Sequence, residues 1–317
     1  MRTRIVAVLA ALSVVLTACG NSGGTEGGGD RTVRVGALPI VPTAAVQLGI
    51  DQGFFRDRGL DLTLEMSQGG AAMLPAVVAG ELDFAIGQPL PLLIANGQGL
   101  DVRIVSGYAA SKPDGDDING VFSVEGSGIE RAADLEGKQV AVNTVNAAGD
   151  VTIREAVRRD GGDASSVRFV ELPFPDMPAA LENGNVDAVW VPEPFLTAIR
   201  QSGAQLVTYN FQDAVPGLDT LVTFASGTVV EDDAAVVTDF AAAMRESLTY
   251  AEENPDEVRS TLVDMLDMDA DLAERVALET FTADVNVDAL RALSDLALTD
   301  GLLKAEPDFG SLLLKGD

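Results

Sequence analysis

The stretch MLPAVVAGELDFAIGQP (residues 73–89) has a counterpart about a hundred residues further on, MPAALENGNVDAVWVPEP (residues 177–194), and the pair decides the fold. Each copy opens as a short apolar helix and stops at a glycine, Gly80 or Gly184. Glycine accepts the left-handed conformation that ends a helix without a Cβ clash. After one intervening residue comes an aliphatic side chain (Leu82 or Val186), then an aspartate (Asp83 or Asp187). A short apolar strand follows and ends at a proline, Pro89 or Pro194. The interval is too long for the period of a solenoid and suits two similar lobes.

The correspondence extends backwards. Residues 32–36 and 139–143 alternate like strands, and each leads through a turn into a helix, over 43–52 and 150–160. Glycines end both helices, at Gly53 and at Gly161-Gly162, and further strands follow over 60–66 and 167–172. Strand, helix, strand, helix, strand implies a parallel sheet with helices on its faces. Any two α/β units share some of this punctuation, but the matching glycine, aspartate and proline favour a repeated lobe. Residues 100–108 read as a further strand of the first lobe. The polar segment 109–120, with Pro113 and several aspartates, reads as a crossing, and 132–138 leads into the second lobe. A last strand there at 206–209, a second crossing at 215–219 and a returning strand at 221–226 follow. Most of 231–302 is patterned as helix, over 234–252, 255–266 and 287–298, with Pro255 suited to a first turn. This tail has no counterpart in the second lobe and is expected to pack on the first. The expected fold is therefore α/β, two lobes with mainly parallel sheets joined by two crossing segments. Lobe I is 32–118 plus 220–317, and lobe II is 119–219.

Composition narrows the chemistry. The 317 residues are 47% hydrophobic and 22% charged, as in a globular protein, with one cysteine and no histidine. One cysteine excludes an internal disulfide and a multi-cysteine metal site. Without histidine there is no Ser-His-Asp or Cys-His nucleophile and no histidine-ligated metal. Neither cofactor nor metal is expected, and catalysis is not. The net charge of −28 repels phosphate backbones and anionic headgroups, so no nucleic-acid partner is expected. A solvated acidic shell and adaptation to salt both account for that charge.

The cysteine has its own setting. Arg2 and Arg4 precede an apolar run over 5–16. That run is shorter than the ~20 residues of a spanning helix and fits the core of a secretory signal. Leu16-Thr17-Ala18-Cys19 resembles the lipobox of bacterial lipoproteins. The resemblance implies a signal peptide over 1–18, cleavage before Cys19 and acylation of that residue. Residues 19–31, rich in glycine, then form a flexible tether. The alternative is a buried thiol after an ordinary signal peptide. The expected location is the outer face of a bacterial cell membrane, touched only through the lipid, with the protein as a monomer.

Ligands of open parallel sheets bind beyond the carboxyl ends of the strands, and helix N-termini there offer amides to anions. Ser67, Gln68 and Gly69, with Gly70, form the leading candidate, because glycine admits close backbone approach. Pro42 and Thr43 precede one helix, and Asn143, Thr144 and Asn146 another. Plain capping or turn formation explains each of these as well. Gln88 and Glu193 occupy matching places before Pro89 and Pro194 and are expected to face each other across a cleft. A hinge or surface carboxylate is the other reading of Glu193. Trp190, the lone tryptophan, reads more as core than as binding wall.

Several segments carry a family resemblance. Gly53-Phe54-Phe55, Gly59-Leu60-Asp61, Gly69-Gly70, the run Ala79 through Ala85, Asp134 through Lys138, and Glu193-Pro194-Phe195 are similar to the nitrate/taurine/thiamine-precursor-binding family. Its bacterial members are solute-binding proteins of ABC importers. The resemblance implies a type II periplasmic-binding-protein fold and partnership with a permease and its ATPase. Where relatives often place an aromatic before Glu-Pro, this chain has Pro192. The resemblance implies capture of a small solute by hinge closure. A small organic anion of sulfonate, taurine or nitrate type is the expected ligand, with a pyrimidine or other heterocycle as the alternative. A surface sensor or accessory lipoprotein without transport is a different class of reading, and an exported carboxylate hydrolase a third. The family's histidine-consuming pyrimidine synthase is excluded by the absence of histidine.

Overall fold

In the computed structural model, which describes residues 30–67 and 70–314, the repeated aspartate closes the same joint twice. Signal segment, Cys19 and nearly all of the tether, like Gln68 and Gly69, lie outside the described residues. The first lobe's elements are β1 (Arg31–Ala37), α1 (Thr43–Gln52), β2 (Leu60–Met66), α2 (Gly70–Val78), β3 (Phe84–Gly87), α3 (Pro89–Gly97) and β4 (Val102–Ala110). The second comprises β5 (Asn119–Val124), β6 (Gln139–Val142), α4 (Ala148–Arg159), β7 (Arg168–Glu171), α5 (Met177–Glu182), β8 (Ala188–Pro192), α6 (Phe195–Gln201), β9 (Ala204–Thr208) and α7 (Asn210–Ala214). The chain then returns as β10 (Asp219–Ser226), α8 (Gly227–Asp232), α9 (Ala234–Glu253), α10 (Pro255–Leu266), α11 (Ala270–Ala273), β11 (Thr280–Phe281), α12 (Val287–Thr299) and α13 (Phe309–Leu312).

β1 and β3 start to pair only at Val35 and Phe84, one step beyond Arg34. The Arg34 amide would lack a partner there, and the Asp83 carboxylate accepts it at 2.8 Å. In the second lobe Asp187 accepts the Gln139 amide at 2.7 Å. The preceding glycines turn the chain with φ of 73° at Gly80 and 68° at Gly184. The motif is thus a device for docking a helix-linked strand against the first strand of its lobe.

One sheet runs β11-β4-β10-β3-β1-β2 and the other β7-β6-β8-β5-β9. The two-lobed α/β fold is as expected, but the sheets are mixed rather than mainly parallel. β1 pairs parallel with β2 and β3, and β6 with β7 and β8. β10 and β5 run antiparallel to both of their neighbours. The reason is the connection: each is entered from the other lobe through a crossing, so it needs no helical return on its own sheet. Predicted β2, α1 and α10 agree with the structure residue for residue, because glycine or proline marks their ends.

The first sheet's core is sealed by Phe84 stacked on Phe240 of α9, ring centroids 3.8 Å apart. α9 packs on α1, so much of the tail sits on the first lobe as expected. α12 corrects the rest of that expectation: it packs against α3 of the first lobe and α4 of the second. Asp300 just beyond it holds Arg158 at 2.7 Å and Arg154 at 3.6 Å, both on α4. An apolar helical stripe specifies burial but not which neighbour supplies it. Among the described residues, no helix is long and apolar enough to cross a membrane.

Candidate functional site

The helix N-termini expected to offer amides make hydrogen bonds within the protein. On α1, the amides of Ala44 and Ala45 bond to the carbonyls of Val41 and Pro42. The Val46 amide donates to the hydroxyl of Tyr108, which itself donates to the Pro42 carbonyl at 2.7 Å. The Thr43 hydroxyl donates to the Leu38 carbonyl at 2.6 Å. Pro42 and Thr43 are both buried and engaged in this turn. Tyr108 is fully buried, and desolvation holds its phenol well above the usual range.

The 143–148 loop is committed in the same way. Asp150 accepts the amides of Asn146 and Ala147 at 3.1 and 2.8 Å. Glu171 accepts the Val145 amide at 2.8 Å. Gln88, from the other lobe, accepts the Ala148 amide at 3.3 Å. Asp150 is fully buried, which raises its pKa against the pull of those amides and of Arg154. Asn146 adopts a left-handed φ of 59° and is exposed, and Thr144 is half-buried. Two internal carboxylates thus already neutralise the α4 terminus, where an anion would otherwise be favoured.

Glu193 and Gln88 hold separate partners. The peptide bond from Glu193 to Pro194 is cis. Glu193 is 1% exposed, and its carboxylate accepts the amide and hydroxyl of Thr197 at 3.0 and 2.7 Å. It also accepts the amide of Ala277, in the strap of residues 274–279 between α11 and β11, at 3.0 Å. Burial raises its pKa, opposed by these hydrogen bonds. Ser67 bonds through its amide to the Ala37 carbonyl, at the end of β1.

Between the sheets lies a narrow, nearly closed cavity of about 30 Å³ to which both lobes contribute. One side presents Leu38, Ile40, Gln88 and Leu221, and the other Asn119, Asn143 and Pro192 with an aromatic group. That group is Trp190 with Phe174 and Phe211, ring centroids 5.8 and 5.6 Å from the indole. Trp190 is 1% exposed yet lines the cavity, so it is both core and wall. It lies flat on α4, where only Gly149 leaves room: a Cβ there would sit 2.8 Å from the ring. Of the expected residues, Gln88 and Asn143 line this cavity, whereas Pro42, Thr43, Ser67, Thr144, Asn146 and Glu193 do not.

Glu279 also lines it, and nothing in the sequence pointed there. It lies in a tail patterned as helix, just before the two-residue strand β11. Its side chain is 4% exposed; one oxygen contacts the Thr220 hydroxyl at 2.9 Å and the other has no partner. Burial raises its pKa strongly, and nearby Asp117 adds to the effect. Asn143 Oδ1 and Trp190 Nε1 are likewise buried and unpartnered. Among the described residues, no arginine or lysine lines the cavity. Among the described residues, no group of carboxylates and cysteine is placed to hold a metal ion. A wider groove of about 740 Å³ lies between α1, α9 and β4, but its arginines are paired internally, Arg58 with Glu246 and Arg245 with Asp284.

Known proteins share this architecture. The chain is 25% identical over 284 residues to a Bacillus subtilis protein named for binding aliphatic sulfonates, covering 86% of this chain and 81% of that one. It is 23% identical over 267 residues to the formylaminopyrimidine-binding protein of Halalkalibacterium halodurans, covering 82% and 78%. The alkanesulfonate-binding protein SsuA from Xanthomonas axonopodis pv. citri, solved bound to MOPS, superposes with a TM-score of 0.76 at 17% identity, covering 90% of this chain and 98% of that one. With the family profile matching residues 43–258, the chain belongs to the NMT1/THI5-like family.

Proposed function

We propose that this protein captures a small solute in the cleft between its two lobes and delivers it to an ABC permease and its ATPase. Residues 32–118 and 220–317 form one lobe and 119–219 the other. The chain works outside the cytoplasm, anchored by lipid on Cys19, and binds its solute without turning it over. Ligand bridges the lobes and so favours the closed arrangement that a permease recognises. The relatives named for sulfonates and for formylaminopyrimidine support import of a small solute and divide over its charge.

One observation supports a choice between them. The α1 N-terminal amides and those of Asn146, Ala147 and Ala148 at the start of α4 have internal partners, while among the described residues the cavity wall is aromatic and free of basic side chains. That favours a planar heterocycle, stacked on the Trp190 group, over the small anion expected from sequence. A thermal-shift panel of alkanesulfonates, nitrate and pyrimidines on the chain after Cys19 tests this. A ligand at about 100 times its Kd stabilises by roughly 2.7 kcal/mol. The expected result is a shift with a pyrimidine that Asn143→Ala reduces; a shift with alkanesulfonates alone refutes the heterocycle. Cys19→Ser is expected to move the protein from the membrane fraction to the soluble one.

A further inference from the structure

We infer that Glu279 is the specificity-determining residue of the cleft, selecting solutes that present an N–H donor, above all a cationic amidine or ammonium, over anions of the same shape. The inference rests on the reading of the cleft as the solute site. Among the described residues, three that line the cavity carry a buried polar atom without a partner: Glu279 Oε2, Asn143 Oδ1 and Trp190 Nε1. Two of the three are acceptors, so a solute that satisfies the site must bring hydrogen.

Oε2 is an acceptor when Glu279 is ionised and when the neutral acid carries its proton on Oε1. The Thr220 hydroxyl lies 3.0 Å from the Ala109 carbonyl and 2.9 Å from Glu279 Oε1. A hydroxyl has one proton. When it goes to Ala109, a neutral Glu279 donates from Oε1 to Thr220 and leaves Oε2 as a bare carbonyl oxygen. When Glu279 is ionised, Oε2 is a carboxylate oxygen. In both of these states Oε2 offers an anion no donor, and a buried acceptor left unpaired costs binding energy. An amidinium N–H turns that orphan into a charge-assisted hydrogen bond.

The strap that carries Glu279 is held from the opposite lobe, because Glu193 accepts the Ala277 amide two residues upstream. The closed lobes thus seat the reading group against the solute. The titratable neighbours of Glu279 are the buried Tyr108 of β4 and Asp117, on the first crossing, whose carboxylate accepts from Ser111 and from the amides of Lys112 and Ile118. Burial and Asp117 both favour the neutral acid in the absence of a cation. A cationic solute reverses that balance, so its capture releases a proton to solvent.

The test uses three planar probes of one shape: benzamidine (cation), benzamide (neutral donor) and benzoate (anion). The chain's one tryptophan lies in the cavity, so its emission reports occupancy of the cleft, while calorimetry reports binding anywhere. Benzamidine is expected to change Trp190 emission and to bind at least about tenfold tighter than benzoate. Calorimetry in buffers of different ionisation enthalpy is expected to show proton release with benzamidine. In Glu279→Gln, which keeps the shape, the preference and the proton release should both disappear. Benzoate binding as well as benzamidine, an unchanged order in Glu279→Gln, or no response to benzamidine overturns the role of Glu279. Heat of binding without any change in Trp190 emission instead places the solute outside the cleft and refutes the proposed function.

Discussion

Removing the charge of Asp300 is expected to loosen one lobe from the other. Its carboxylate lies just past the end of α12, 7% exposed, 2.7 Å from Arg158 and 3.6 Å from Arg154 of α4. The two arginines are 31% and 24% exposed, so solvent screens the cluster in part. Exposed pairs contribute about 0–1 kcal/mol, and breaking a fully buried one costs about 3–5 kcal/mol. An intermediate value of about 2 kcal/mol fits this geometry. The contact spans α12 and α4, so it stabilises only the arrangement in which they meet. Asp300→Asn should therefore lower the ratio of closed to open forms by about thirtyfold. Small-angle scattering of the ligand-free protein gives one readout and solute affinity the other. If the free wild type is mostly closed, the variant's radius of gyration rises. If it is mostly open, affinity falls by up to that factor with little change in size. High salt should push the wild type in the same direction. A variant that melts earlier but keeps both its dimensions and its affinity would refute the reasoning, since Asp300 would then bind elements that never separate.

Two further outcomes follow from the same packing. Gly149→Ala places a methyl 2.8 Å from the Trp190 ring and is expected to cost about 1–3 kcal/mol by overpacking, read from urea unfolding, with altered tryptophan emission. Burial also pushes the Asp219 carboxyl up to about 7, above its unfolded value near 3.9. The folded state therefore holds the proton longer than the unfolded chain. Stability should decline as pH rises from about 4 to about 7, and level off beyond. Asp117, Asp150 and Glu193 are raised by burial too and act with the same sign. Asp219→Asn should flatten the decline by a few kcal/mol at most, in melts at about pH 5 and pH 8. An unchanged slope would count against a neutral Asp219.

Local chemistry made much of the architecture legible in the sequence. Gly80 and Gly184 stop helices because only glycine turns there without strain, and Asp83 and Asp187 recur because each first strand leaves one amide without a partner. Those constraints act within a few residues or between neighbouring strands, so a repeat in the sequence records them. The absence of histidine is equally local information, and it removed whole classes of chemistry. The site was another matter. Loops rich in Asn, Thr and Ser read as open amide nests, but whether an amide is free depends on distant partners: Tyr108 for α1, Gln88 and Glu171 for α4. Glu193 looked like a cleft carboxylate and instead grips the strap at Ala277, while Glu279 emerged from a tail with no visible motif. Strand and helix periodicities decide which face of an element is buried. Which distant side chain meets that face, and whether a polar atom is left wanting a partner, is decided only when the chain closes on itself, because burial and hydrogen bonding are properties of the assembled neighbourhood.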